Sequence, residues 1–281
     1  VGFSGLKIVL DCANGASCKV APELFRRLGA EIIVMNDNPD GLNINKKCGS
    51  GNTKYISQKV RETGADLGLA FDGDADRLIC VDENGEVVDG DAIITILSLD
   101  LKKKGLLVNN TIVVTVMSNM GVDVFAKKHG INVVKTQVGD RYVLEEMLRS
   151  GCIIGGEQSG HVIMLQHNTT GDGLITAVQL VRVLKNEGCR LSDLASVFTR
   201  FPQVVVNAKV RDSLKHKFME DDDIAAMCRS LEDEFGENGR VLIRPSGTEP
   251  LVRVMIEGEN HEYIKHKAEL LAALIESRLG T

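Results

Sequence analysis

Tryptophan is absent from the 281-residue chain, and Phe, Tyr and Trp together make up only 4% of it. That argues against a platform that stacks bases or sugar rings. Prolines number five against 28 glycines, with no low-complexity bias. No apolar run reaches the roughly 20 residues of a membrane-spanning helix. The longest, such as Ala92 to Leu97, suit core helices or strands. The opening residues lack the basic and apolar regions of a secretory signal, so none is expected. Charge of neither sign dominates: 33 Lys and Arg face 39 Asp and Glu, a net −6. A nucleic acid is therefore not the expected partner, and neither is a membrane. The seven cysteines (Cys12, Cys18, Cys48, Cys80, Cys152, Cys189, Cys228) are odd in number, scattered and without a C-x-x-C pair. They read as reduced thiols of a cytoplasmic protein, and with six scattered histidines they offer no zinc-ligand spacing. The chain opens at Val1, not Met, a few residues before a strong strand. It is read as a fragment of a longer polypeptide.

What is present suffices for real cores. Hydrophobic residues are 43% and charged residues 26%, and the length allows about two domains or three small ones. Strand and helix patterns alternate. Lys7 to Leu10 reads as a buried strand, Val20 to Leu28 as a helix with Pro22 near its start and Gly29 at its stop, and Ala30 to Met35 as a second strand. Such a β-α-β unit implies a parallel sheet covered by helices. The pattern returns at Thr111 to Val116, Val122 to His129 and Ile131 to Lys135, a weak internal repeat. After Phe201-Pro202 come a strand (Val204 to Val210), an acidic helix (Asp221 to Phe235), two strands (Arg240 to Arg244, Leu251 to Glu257) and a closing helix (Tyr263 to Leu279). The expected fold is α/β: two consecutive α/β domains with mixed, mainly parallel sheets over residues 1–88 and 89–200, then a C-terminal α+β domain over 201–281.

The sharpest local feature is Asp72-Gly73-Asp74-Ala75-Asp76-Arg77, behind the strand Leu67 to Phe71. Three carboxylates in five residues repel unless a cation neutralises them, and oxygen-only ligands favour Mg²⁺ or Ca²⁺. An EF-hand would place Asp72, Asp74 and Asp76 at its first, third and fifth positions and Glu83 at its twelfth. Arg77 then stands where glycine is needed, and the flanks read as strands. A solvated acidic turn stays open. Arg77 is not expected to ligate; beside three aspartates it could orient a carboxylate or contact a phosphoryl group.

Gly155-Gly156-Glu157-Gln158-Ser159-Gly160-His161 crowds polar side chains onto a glycine-rich backbone ahead of the strand Val162 to Leu165. It suits vicinal sugar hydroxyls as well as it suits a plain hairpin turn. The G-x-S-x-G elbow fails because Glu157 stands two before Ser159. Taken singly, His161 is more often structural than a proton carrier. Thr136 to Arg141 is a third polar turn, and Thr169 to Gly173 reads as the start of a helix. Arg244-Pro245-Ser246-Gly247-Thr248-Glu249-Pro250 offers an arginine, two hydroxyls and exposed backbone N–H groups, which suit a phosphate; a Pro/Gly turn is the alternative. Arg253 on the following strand could point at the same anion.

The stretches Asp72 to Arg77, Gly156 to His161 and Arg244 to Pro250, in this order and spacing, resemble the α-D-phosphohexomutase superfamily, and most of all its bacterial phosphoglucosamine mutases. Asp11 to Ala16, Asn43 to Asn45 with Cys48 to Ser50, Val138 to Arg141 and Arg253 to Gly258 extend the resemblance over almost the whole chain. It implies domains two, three and four of a four-domain enzyme, the first of which carries a phosphorylated serine in a Ser-His-Asn-Pro loop. No Ser-His dipeptide occurs here, so the nucleophile is expected on a missing N-terminal domain of the same polypeptide. Ser50 to Thr53 departs from a Thr-His pair of many relatives and reads as a tolerant stretch. The resemblance further implies Mg²⁺ held by Asp72, Asp74 and Asp76, with Arg77 and His161 catalytic. Asp140, Arg141, Glu157, Ser159, Arg244, Ser246, Gly247, Thr248 and Arg253 would bind substrate. The implied reaction interconverts glucosamine 6-phosphate and glucosamine 1-phosphate through a 1,6-bisphosphate in the cytoplasm, with a homodimer allowed. Mannose or glucose phosphates as substrates, or a non-catalytic phosphosugar-binding fragment, are the alternatives.

Overall fold

The computed structural model describes residues 2–280; Val1, on which the reading of an abrupt start rests, lies outside the described residues. Two compact units emerge. One takes the chain up to Ser118 and Val122–Thr199; the other takes Asn119–Gly121 and the chain from Arg200 on.

The first unit holds two sheets. The first is built from β1 (Lys7–Asp11), β2 (Glu31–Met35), β3 (Leu67–Phe71), β4 (Leu78–Asp82) and β5 (Val87–Val88), with α1 (Ser17–Arg27) and α2 (Lys54–Thr63) between its strands. Its order is β2-β1-β3-β4-β5. β1 pairs parallel with β2 and β3, while β4 runs antiparallel to β3 and to β5. After α3 (Gly90–Lys103), the second sheet takes β6 (Thr111–Thr115), β7 (Asn132–Thr136), β8 (Ile154–Gly156) and β9 (Val162–Met164), joined by α4 (Gly121–His129) and α5 (Asp140–Ser150). Its order is β7-β6-β8-β9, parallel except for the last pair. Both sheets thus repeat one pattern, three parallel strands with the first in sequence in the middle and an antiparallel strand added at the side. The α/β expectation holds, and the short repeat seen in the sequence is a repeat of topology.

The strands form where the chain is apolar without alternation. Every residue of β3, β4 and β6 is buried, as expected of strands covered on both faces. α3 is buried on nearly every side and is capped by Asp89, whose side chain accepts from the Ala92 N–H. α6 (Gly173–Glu187) packs against it, followed by the short α7 (Leu191–Ala195). One continuous apolar cluster runs from Phe3 and Phe25 through Leu69 and Leu78 to Ile94, Val114 and Leu180. Both sheets therefore share a core. α1 begins three residues before the expected Val20, so Pro22 sits inside the helix and not near its first turn. Ser17 to Lys19 are polar or small and gave no apolar signal.

The second unit is an antiparallel sheet of β10 (Gln203–Lys209), β11 (Gly239–Pro245) and β12 (Leu251–Gly258), in the order β10-β12-β11, with α8 (Asp222–Phe235) and α9 (His261–Leu279) packed on it. Val252, Val254 and Ile256 of β12 meet Ile224, Cys228 and Leu231 of α8 and Leu271 and Ile275 of α9. Alternation along the strand sends Arg253 to the other face. This is the α+β element expected at the C-terminus.

Candidate functional site

β3 delivers the chain to Asp72 at its C-terminal end. The turn that follows is tight: the Ala75 N–H donates to Asp72 O at 3.2 Å, and Ala75 itself is left-handed at φ +61°. The Arg77 N–H then donates to Asp72 Oδ1 at 3.0 Å. Carboxylate oxygens of Asp72, Asp74 and Asp76 lie within 4.8 Å of one another, the one such group among the described residues. Asp76 Oδ1 is buried without a hydrogen-bond partner. Burial first, and then the neighbouring Asp76 carboxyl, push the Asp72 carboxyl up to about 7, against the pull of the Arg77 N–H. An all-oxygen donor set and a buried orphan oxygen together fit a hard divalent cation. The flanking strands β3 and β4 leave no room for an EF-hand's helices. The Arg77 guanidinium is half-exposed, with Nε 4.0 Å from Asp72 Oδ2 and 3.9 Å from Asp76 Oδ1.

The glycine-rich loop 155–161 lies against this turn and is joined to it through main-chain atoms. Arg77 and His161 form an isolated antiparallel bridge, and the Leu78 N–H donates to Gly160 O at 3.0 Å. The start of α6 adds a third tie, Gly173 N–H to Ala75 O at 2.9 Å. Gly160 has φ +93°, and a Cβ there would stand 2.2 Å from Leu78 O, so only glycine permits the approach. His161 is 3% exposed. Its Nε2 lies 3.6 Å from Asp76 Oδ2 and 3.8 Å from Asp140 Oδ2, while Nδ1 is buried without a partner. Glu157 Oε1 accepts from the Gly139 N–H at 3.0 Å, which fixes the turn carrying Asp140. Ser159 is exposed. Arg141 is exposed as well, and its Nε is engaged by Glu145 Oε1 at 2.7 Å, one turn along α5. Asp72, Asp74, Asp76, Arg77, Asp140, Glu157 and His161 are thus gathered within the first unit.

Arg244, Ser246, Gly247, Thr248 and Arg253 belong to the second unit. Ser246 is buried; its Oγ accepts from the Glu249 N–H at 3.3 Å, and its own N–H donates to Leu251 O at 2.8 Å. Gly247 and Thr248 are exposed at the tip. Arg244 sits directly opposite Arg253 in the β11–β12 register. Burial and the like charge of Arg253 hold the Arg244 guanidinium below its ordinary pKa. Arg253 reaches Glu249 only at 3.6 Å, and its Nε is buried without a hydrogen bond. Like charges facing across strands are destabilising, and an anion between them removes the penalty.

Three features were not assigned a site role from sequence. Asp11, fully buried at the end of β1, accepts from the Ala13 N–H at 3.0 Å and the Gly49 N–H at 2.9 Å, pinning two loops behind the acidic turn. A carboxylate closing an otherwise apolar strand was the available signal. Gly171 leaves room for the His161 ring: a Cβ there would lie 2.4 Å from Nε2. Nothing local marks that contact. Finally, the stretch read as tolerant, around Ser50 to Asn52, borders a cleft with Asp72 and Arg77.

Three domain models of one family match the chain in succession. The phosphoglucomutase/phosphomannomutase alpha/beta/alpha domain II covers residues 3–85, alpha/beta/alpha domain III covers 89–201, and the C-terminal domain covers 205–274. The chain belongs to the phosphoglucomutase/phosphomannomutase family. Within the phosphohexomutases, a protein named phosphoglucosamine mutase from Acetivibrio thermocellus is 59% identical over 278 residues, 99% of this chain and 62% of that relative. One of the same name from Ruminiclostridium cellulolyticum is 58% identical over the same span. The chain therefore spans 62% of the length of these curated relatives. Among solved structures, Aspergillus fumigatus N-acetylphosphoglucosamine mutase in complex with GlcNAc-6P and magnesium has a TM-score of 0.80 at 22% identity, covering 99% of this chain and 62% of that one. At that identity the likeness is one of fold. The resemblance seen in the sequence, and its restriction to domains two to four, agree with these matches.

Proposed function

We propose that this chain is the greater part of an enzyme that interconverts glucosamine 6-phosphate and glucosamine 1-phosphate by phosphoryl transfer through a 1,6-bisphosphate. What supports it is the Arg77–His161 main-chain bridge, which ties the loop carrying Glu157 and Ser159 to the turn carrying the carboxylate cluster and Arg77. The amino sugar is taken from the names of relatives 59% and 58% identical. Mg²⁺ held by Asp72, Asp74 and Asp76 would neutralise charge that grows on the transferring group. The nucleophilic phosphoserine would come from a preceding domain of the same polypeptide.

The chain's own residues then bind and orient, which is most of the work in phosphoryl transfer. Arg77 lies beside the transferring phosphoryl. Glu157 and Ser159 hold vicinal hydroxyls, with Asp140 and Arg141 at the pocket edge. His161 Nε2, set near Asp76 and Asp140, holds the proton of the attacking hydroxyl. Arg244, Ser246, Gly247, Thr248 and Arg253 clamp the phosphate that stays. That clamp must accept either end of the sugar, so it reads phosphate and not sugar. We divide the chain functionally at 88/89 and 200/201, place the activity in the cytoplasm in keeping with seven unpaired thiols, and allow a homodimer.

The test is a phosphorus NMR mutase assay on this chain with Mg²⁺, glucosamine 6-phosphate and catalytic bisphosphate, beside thermal melts. Protection by glucosamine 6-phosphate without turnover is expected. Turnover would overturn the assignment of the nucleophile to another domain. Stronger protection by glucose or mannose 6-phosphate would overturn the amino-sugar assignment.

A further inference from the structure

The loop that carries Glu157 and Ser159 joins two strands of the second sheet, yet it is gripped by the chain of the first. It closes on itself as a turn: the Gly160 N–H donates to Glu157 O and the Glu157 N–H to His161 O, each at 3.0 Å. Two more of its carbonyls are taken from outside. Gly160 O accepts from the Leu78 N–H, where β4 begins, at 3.0 Å. Gln158 O accepts from the N–H of Gly90, the first residue of α3, at 3.1 Å.

The start of α3 is itself held firmly. β5 is paired to β4 through Val87 and Val88, and Asp89 alone separates it from the helix. Asp89 is buried, and its carboxylate accepts from the Ala92 N–H at 3.1 Å. Against this fixed point the loop comes very close. A Cβ at Gly90 would stand 2.1 Å from Glu157 O, 2.7 Å from Gly160 N and 2.9 Å from Gln158 O, all main-chain atoms. Gly90 does not lie in the left-handed region, and glycine is a weak helix former. Neither backbone conformation nor propensity accounts for glycine here; the nearness of the loop does. The effect reaches further through Glu157, whose Oε1 takes the Gly139 N–H beside Asp140. The acidic turn has its own tie, from Gly173 N–H to Ala75 O at 2.9 Å.

Resting on Glu157 and Ser159 as the residues that hold the sugar, we propose that Asp89 and Gly90 are positioning residues for sugar binding. Gly90 seats the loop by its N–H and by its lack of a side chain; Asp89 caps the helix start that does so. Both act through Glu157 and Ser159. In the sequence this pair reads only as a boundary between modules.

Phosphorus NMR line broadening gives the affinity of this chain for glucosamine 6-phosphate and for inorganic phosphate. Calorimetry gives its Mg²⁺ affinity, and nitrogen–proton NMR the amide resonances of Ser159 and Gly160. Gly90→Ala should bind glucosamine 6-phosphate about tenfold or more weakly, the size of a misplaced hydrogen bond to a charged group, and shift both amide resonances. Inorganic phosphate and Mg²⁺ affinities should stay within about twofold, since their proposed residues lie elsewhere. Asp89→Ala should weaken sugar binding without adding an atom, and Asp89→Asn, which also caps a helix, should restore it; this pair decides if Gly90→Ala does not fold. Gly188→Ala, with φ +64° and nothing within 4 Å of the added carbon, should lower the melting temperature and leave every affinity unchanged. Parent-like sugar affinity in Gly90→Ala and Asp89→Ala would overturn the proposal. So would equal losses for inorganic phosphate and Mg²⁺, or the same loss in Gly188→Ala, because each marks general destabilisation. If the parent chain fails to bind glucosamine 6-phosphate, the sugar reading falls and the amide resonances decide the positioning: unshifted in Gly90→Ala they overturn it, shifted they uphold it.

Discussion

Asp74 is the most exposed of the three clustered aspartates, yet its removal should take Mg²⁺ affinity below what calorimetry detects, since one of three anionic oxygens that offset the dehydration of the ion is lost. Calorimetry on Asp74→Ala should show no Mg²⁺ binding, with the melting temperature of the metal-free chain unchanged or raised as like charges separate. Gly171 makes a contrasting case. An alanine methyl there would stand 2.4–2.6 Å from the His161 ring, so the imidazole must leave its place. Gly171→Ala should shift the His161 ring resonances in a carbon–proton NMR spectrum and cost about 1–3 kcal/mol by overpacking. Mg²⁺ affinity should stay within a few-fold of the parent. The two residues also mark what a sequence displays. Three aspartates at every second position are visible because their chemistry is local. Gly171 is silent because the group that gives it meaning, the His161 ring, comes against it only in the folded chain.

Elements were legible where burial is complete. β3 was expected at Leu67 to Phe71 and forms over those residues, because an unbroken apolar run between polar turns leaves little choice of state. Most other boundaries moved by one or two residues. α2 and α5 went unread: each buries only a few side chains, Ile56, Ser57 and Val60 in one and Val143 and Met147 in the other. α8 shows how an element is held at its start. Asp221 accepts from the Asp223 and Ile224 N–H groups and pairs with Arg278 of α9 at 2.8 Å. Arg278 chiefly holds the Asp221 carboxyl below its ordinary range. A depressed carboxyl contributes stability that is present above its unfolded pKa, ~3.9, and lost as pH falls through the lower folded value. Asp221→Asn keeps the cap and deletes the titration. Its melting temperature should therefore lie below the parent's at neutral pH and converge on it as pH falls through the depressed pKa of the Asp221 carboxyl, as followed by circular dichroism.

At the scale of the whole molecule, the first unit is one cooperative body by its core: α6 contributes Leu180, fully buried, to the cluster that reaches both sheets. Leu180→Ala should cost about 2–5 kcal/mol, and native-state hydrogen exchange should show β3 and β6 losing protection together. If β6 alone loosened, the sheets would be separate cores. The order of modules was readable from alternating strands and helices, because a parallel sheet needs a crossover between its strands. The fusion of the first two was not, since an apolar side chain carries no mark of which sheet it will meet.

The Arg77–His161 joint is made of main-chain atoms, which every residue type possesses. Substitution can therefore retune what the two loops recognise, residue by residue, without cutting the tie that keeps them in step. What substitution can do is crowd it. In this part of the molecule tolerance runs opposite to side-chain size: the positions with nothing to lose, Gly160 and Gly171, are the ones that cannot afford to gain.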